Sequence, residues 1–190
     1  MKRVHQVVLI FSTVYGSWLG MQDVHEFGHV TAAWLTGGRV SKVVLYPLTI
    51  SRTALAEDPK PLAVVWSGPL VGAALPLAVW LAARAVRLSG DFVLRFFAGF
   101  CLVANGAYIG IGSFIRVGDA QTMLALGAAR WHLWLFGVLT APAGLWLWHD
   151  LGPHFGFGKA AGAVRRNVAY VTFACCVTLF AMGLTFGGRD

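Results

Sequence analysis

Residues Asp23 to Gly38 read DVHEFGHVTAAWLTGG, placing two histidines, a glutamate and an aspartate in a chain whose composition otherwise suits lipid. On an α-helix, residues four apart differ by about 40° around the axis, so His25 and His29 project from one face and can share one metal ion. Glu26 follows His25 directly, where it reaches a water on that metal but is poorly placed to ligate it. The H-E-x-x-H spacing points to hydrolytic chemistry. A zinc ion with an open coordination position acidifies its water, and the glutamate takes the proton as the water attacks a carbonyl. The sequence holds only two glutamates, and a carboxylate inside an apolar helix is costly unless it has a partner or a function.

A zinc site of this kind, one per chain, takes a third protein ligand and leaves the fourth position to water. Asp23 lies about 200° around the helix from His25 and cannot face the same ion. Glu57, Asp58 and Asp91 stand in polar turns, and Asp190 stands at the end of the sequence. Asp119, in RVGDAQTML, is the best remaining carboxylate, at the expected start of a short helix; its other use would be to cap AQTMLAL. His132, His149, Asp150 and His154 are the runners-up, and histidines at membrane ends are usually interfacial.

The elements that position these residues must lie in a membrane. With 190 residues, 57% hydrophobic, 12% charged and a mean hydropathy of +0.68, the chain is too apolar for an ordinary soluble domain. A hydrocarbon core of about 30 Å asks for roughly 20 apolar residues per helix. Pro61 to Ala83, Phe96 to Ile115 and Asn167 to Gly188 meet that demand, and Leu133 to Trp148 makes a shorter span extended by Trp131, His132 and His149. Lys2 and Arg3 before an apolar run have some character of a signal peptide. Because apolar residues resume at Val30, Val4 to Leu35 reads instead as a first membrane helix of about 48 Å, which must tilt, kink near Gly16 or Gly20, or protrude. Gly37-Gly38 stops it. The next stretch, RVSKVVLYPLTISRT, is β-branched and broken by Pro47, and reads as a short β-ribbon at the membrane surface. The expected fold is all-α and polytopic, with about five transmembrane helices and a membrane-associated ribbon after the first.

The net charge of +7 comes from 15 basic residues scattered singly at segment ends, which excludes a nucleic-acid groove and suits anionic headgroups. Cys101, Cys175 and Cys176 fall inside apolar spans and read as core thiols. No added soluble domain is visible, so selection or regulation would come from a separate regulatory or adaptor protein or from the core itself. The unpaired edge of residues 40–53 can receive an extended substrate as an added strand. A peptide bond within a membrane helix must first be unwound and wetted. Gly68 and Gly72, in SGPLVG, read as close-packing positions, and Arg116 as a headgroup contact.

HEFGH on an apolar helix, followed by LTGGRV, a β-rich stretch and SGPLVG opening the next span, resembles the site-2 protease family of intramembrane zinc metalloproteases, most closely its small bacterial branch. The likeness covers about the first 120 residues. It implies a three-helix catalytic core within about residues 1–128, with the further helices of about 131–187 added to a single membrane-embedded domain. It also implies zinc held below the membrane surface by His25, His29 and a later aspartate matching Asp119, Glu26 as the base, and a membrane-anchored protein substrate in a prokaryotic plasma membrane. The family's aspartate usually lies in N-x-x-P-x-x-x-L-D-G; here the context is GSFIRVGDA, with Asn105 14 residues upstream of Asp119. Two other readings stay open: a non-catalytic relative that binds membrane partners, and a metal or haem carrier using His25, His29, His132 and His149. An i, i+4 pair on one helix cannot supply both axial ligands of a haem.

Overall fold

A computed structural model describes residues 2–188; Asp190 lies outside them. Helix α1, Lys2–Leu35, is a single unbroken element of 34 residues, about 51 Å long, so no break falls at Gly16 or Gly20. It ends as its glycines dictate: Gly37 takes φ +80, and the Gly38 N–H donates to the Ala33 carbonyl. Strands β1 (Arg39–Val44) and β2 (Arg52–Glu57) then pair antiparallel, with Val43 opposite Thr53 and irregular register near Arg39 to Lys42. Helix α2, Pro61–Ala85, opens on a proline, whose missing N–H matters least in a first turn. Helix α3 covers Asp91–Ile115, the short α4 Gly118–Ala125, α5 Arg130–Trp148 and α6 Arg166–Phe186.

Helix α1 is central and packs against α2, α3 and α6, while α5 lies along the far side of α3. Leu9 near the start of α1 shares a cluster with Phe92 at the start of α3 and Val168 at the start of α6, so these three helices run the same way. The hairpin and α4 therefore gather at the end of the bundle where α1 finishes. There Val65, Ile109, Ala120, Met123 and Leu133 form the apolar cluster under α4. Helices α3 and α5 approach so closely that a Cβ on Gly144 would lie 2.5 Å from the Gly99 carbonyl.

Among the described residues, four helices, Arg3–Leu35, Pro61–Ala85, Asp91–Ile115 and Arg166–Phe186, are long and apolar enough to cross a membrane. Helix α5 forms over the range expected for a fifth span but is not among them; Arg130, Trp131 and His132 make its first turn less apolar. Large apolar side chains such as Phe11, Val138, Trp146 and Phe186 are exposed, as a lipid-facing surface requires. Cys175 is a correction: it is exposed, and only Cys101 and Cys176 are buried thiols.

Candidate metal centre

His25 and His29 lie about 15 and 9 Å before the end of α1, counted at 1.5 Å per residue. Both imidazoles are buried. Their Nδ1 atoms are fixed from other helices: the His25 Nδ1–H donates to Asn105 Oδ1 at 2.7 Å, and the His29 Nδ1–H donates to the Val64 carbonyl at 2.8 Å. Asn105 is held in turn by donating its amide to the Cys101 carbonyl at 2.9 Å. With Nδ1 committed on both rings, the two Nε2 atoms are left to converge, and they stand 3.1 Å apart.

The third member arrives from α4. Arg116 and Gly118 both adopt left-handed backbone, turning the chain sharply after α3 so that Asp119 swings back onto the histidines. Its Oδ2 lies 2.8 Å from His25 Nε2 and 3.3 Å from His29 Nε2. The residue capping α4 is Val117, and no side-chain cap bond forms. Asp119 is thus spent on the histidine pair and not on its own helix. The Tyr108 hydroxyl accepts the Asp119 N–H at 3.1 Å and occupies the space a Cβ on Gly118 would need. Burial raises the Asp119 carboxyl, but hydrogen bonds from His25 and His29 and the charges of both rings outweigh it and hold the pKa at about 2.

Three atoms bearing lone pairs cannot face one another at these distances without shared protons or a cation between them. Tetrahedral zinc at 2.0–2.1 Å from its ligands sets neighbouring donor atoms about 3.3 Å apart, and the observed separations of 2.8, 3.1 and 3.3 Å are of that size. Among the described residues, His25, His29 and Asp119 form a group able to hold a metal ion. Gly68 makes room for it: a Cβ there would stand 2.4 Å from His29 Nε2 and 2.9 Å from His25 Nε2. Gly72 similarly faces the Asn105 amide at 2.8 Å. These glycines leave space for side chains of the site, a closer purpose than general helix packing.

Glu26 is buried on the same stretch of α1, and both its carboxylate oxygens are aimed by the hairpin. Ser51 Oγ and Thr53 Oγ1 each donate to it at 2.7 Å, while the Ser51 N–H donates to Gln22 at 2.8 Å. A cleft of about 670 Å3 opens over His25, Glu26, His29 and Asp119, walled by Ile50, Ser51, Arg52, Thr53 and Leu55, the start of α2 and the first turn of α4. The outer side of β1 is occupied near Leu45, whose N–H donates to the Gly187 carbonyl, so β2 is the strand that faces the cleft.

A sequence profile of the Peptidase M50B-like family matches residues 8–135. The chain belongs to the Peptidase M50B-like family. The match spans the H-E-x-x-H helix, the hairpin, α2, α3 and Asp119, and ends a few residues into α5. It makes the chain a membrane protein of a metalloprotease kind, in line with the site-2 protease resemblance. The chain is also 37% identical over 105 residues to protein crumbs homolog 2 of Mus musculus, a stretch covering 55% of this chain and 7% of that protein. No solved structure matches the chain.

The runners-up for the third ligand lie elsewhere. His132 packs on Trp131, His154 stacks on Phe92, and His149 pairs with Asp150 in an exposed contact. A carrier site built from His25, His29, His132 and His149 is therefore not assembled. Arg116 is exposed and does not line the cleft. Asn105, Tyr108, Gly68, Ser51 and Thr53 join the site from positions 25 to 83 residues from His25 or Glu26 in sequence. Asn105 alone carried a signal, as a polar side chain in an otherwise apolar span.

Proposed function

We propose that the chain is an intramembrane zinc metalloendopeptidase that hydrolyses peptide bonds of membrane-anchored proteins. The observation that carries this reading is the convergence of His25 Nε2, His29 Nε2 and Asp119 Oδ2, with both Nδ1 atoms tied off, beside the hairpin-held carboxylate of Glu26. His25, His29 and Asp119 would hold one zinc ion. Bound there, zinc would acidify a water molecule. Glu26 would accept a proton from the water whose oxygen bonds to the scissile carbonyl carbon and would pass it to the departing amide nitrogen as the peptide C–N bond breaks, which leaves the carboxylate free again. Asn105 and the Val64 carbonyl keep the imidazoles in the tautomer that presents Nε2. Ser51 and Thr53 hold the carboxylate until a substrate strand, pairing beside β2, enters the cleft.

In this reading the protein sits in the plasma membrane of a prokaryote. Its site lies inside the helix bundle but near one end, where water entering the cleft meets an unwound substrate. Glu26→Gln tests the assignment. Purified in detergent and assayed on a membrane-anchored reporter, the variant should keep its zinc and lose cleavage by about 10²- to 10⁴-fold, the usual contribution of a general base. Cleavage at the wild-type rate would remove Glu26 from the reaction.

A further inference from the structure

The face of α1 turned away from the histidines is not packed shut. Helices α3 and α6 both rest on α1, with the Phe97 ring against Gly20 and Cys176 against Gly16, and leave between them a cleft of about 540 Å3. Its floor is Ser12, Thr13, Gly16, Ser17, Gly20 and Asp23, a run of about 16 Å along the helix, half the thickness of a hydrocarbon core.

Two polar groups on this floor are uncompensated. Thr13 is 3% exposed and its hydroxyl has no hydrogen-bond partner. The Asp23 carboxylate makes no hydrogen bond or ion pair with any described residue. No lysine, arginine or histidine lines the cleft. Asp23 stands about 18 Å from the end of α1, within the span. A carboxylate at such depth ordinarily marks a functional contact with a partner charge. No described residue supplies one, and the small residues beside it let another backbone come close.

We propose that this cleft docks a transmembrane helix of another polypeptide, one that carries a lysine within its span, level with Asp23, on a face of small residues. The ammonium group supplies the counter-charge Asp23 lacks. Gly16, Ser17 and Gly20 admit the incoming backbone, and Thr13, about 15 Å along the floor, offers its hydroxyl to a second polar side chain of the same helix. An acyl chain filling the cleft would set methylene groups against the carboxylate and leave it unpaired. This cleft and the one over Glu26 share no lining residue, so a helix seated here is not presented to Glu26. The occupant is an adaptor or regulatory subunit rather than a segment being cut.

The test uses the full chain in phosphatidylcholine nanodiscs and two synthetic leucine- and alanine-based transmembrane peptides, one with a central lysine and one with norleucine in its place. Binding is read by fluorescence and by disulfide cross-linking of a cysteine in the peptide to Cys175, which is exposed and lines the cleft. The lysine peptide should bind about tenfold tighter than its twin. That preference should vanish in Asp23→Asn and persist in Asp23→Glu, and the cross-link should be lost in Cys175→Ser. Equal binding of the two peptides to the wild-type chain would overturn the proposal without any variant, and so would a lysine preference that survives Asp23→Asn. Neither readout involves peptide hydrolysis, so failure here leaves the proposed protease untouched.

Discussion

Two faces of one helix, marked by residues two apart in sequence, treat their polar groups in opposite ways. On one face, His25, Glu26 and His29 have every ring nitrogen and carboxylate oxygen engaged, by Asn105, Val64, Ser51, Thr53 and Asp119. On the other, Asp23 and the Thr13 hydroxyl have no partner among the described residues. Polar groups in an apolar medium are expensive unless satisfied, so the first face describes a site finished within the chain. The second describes a surface completed from outside. The difference is one of rotation: about 200° around α1 separates Asp23 from His25 and turns it from α4 towards the cleft between α3 and α6.

Perturbing the finished face should do the most damage. Gly68→Ala would drive a methyl group to 2.4 Å from His29 Nε2. It should displace a ligand, abolish stoichiometric zinc binding and cost about 1–3 kcal/mol of stability from overpacking; metal analysis and thermal unfolding check both. Asn105→Ala leaves the His25 Nδ1–H buried without an acceptor. Zinc affinity should fall about 10- to 100-fold with the fold intact, as measured by competition with a chromogenic chelator. The smallest effect belongs to the open face. Asp23→Asn removes an unpaired charge rather than a contact, so zinc content should not change and the unfolding temperature should stay level or rise. A large loss of zinc in Asp23→Asn would mean that the two faces are not independent.

Much of the first face was legible in the sequence because its information is local. Four-residue spacing fixes the two histidines on one side of a helix whatever else the chain does, and the scarcity of carboxylates left Asp119 as the best candidate. The partners were not legible, since they depend on how α3 and the hairpin are rotated against α1. Asn105 stood 14 residues from Asp119 in a pattern unlike that of the usual family aspartate, yet α3 turns it onto His25. Gly68 and Gly72 read as packing positions because spacing alone cannot say whether a glycine faces a helix or an imidazole. The helix predicted from Leu133 to Trp148 formed. Its tryptophans and His132, which marked an interface in the sequence, also keep α5 out of the set of helices that qualify as spans. Cys175 lay in an apolar run but faces outward, since an apolar helix in lipid has no polar side to reveal its orientation.

The central claim is that His25, His29 and Asp119 hold one zinc ion between them. Zinc stoichiometry of the detergent-purified protein, compared among wild type, Asp119→Ala and His132→Ala, tests it most directly. The account predicts one zinc per chain in wild type and in His132→Ala, and loss of zinc in Asp119→Ala. Full zinc in Asp119→Ala, or none in wild type, would contradict it.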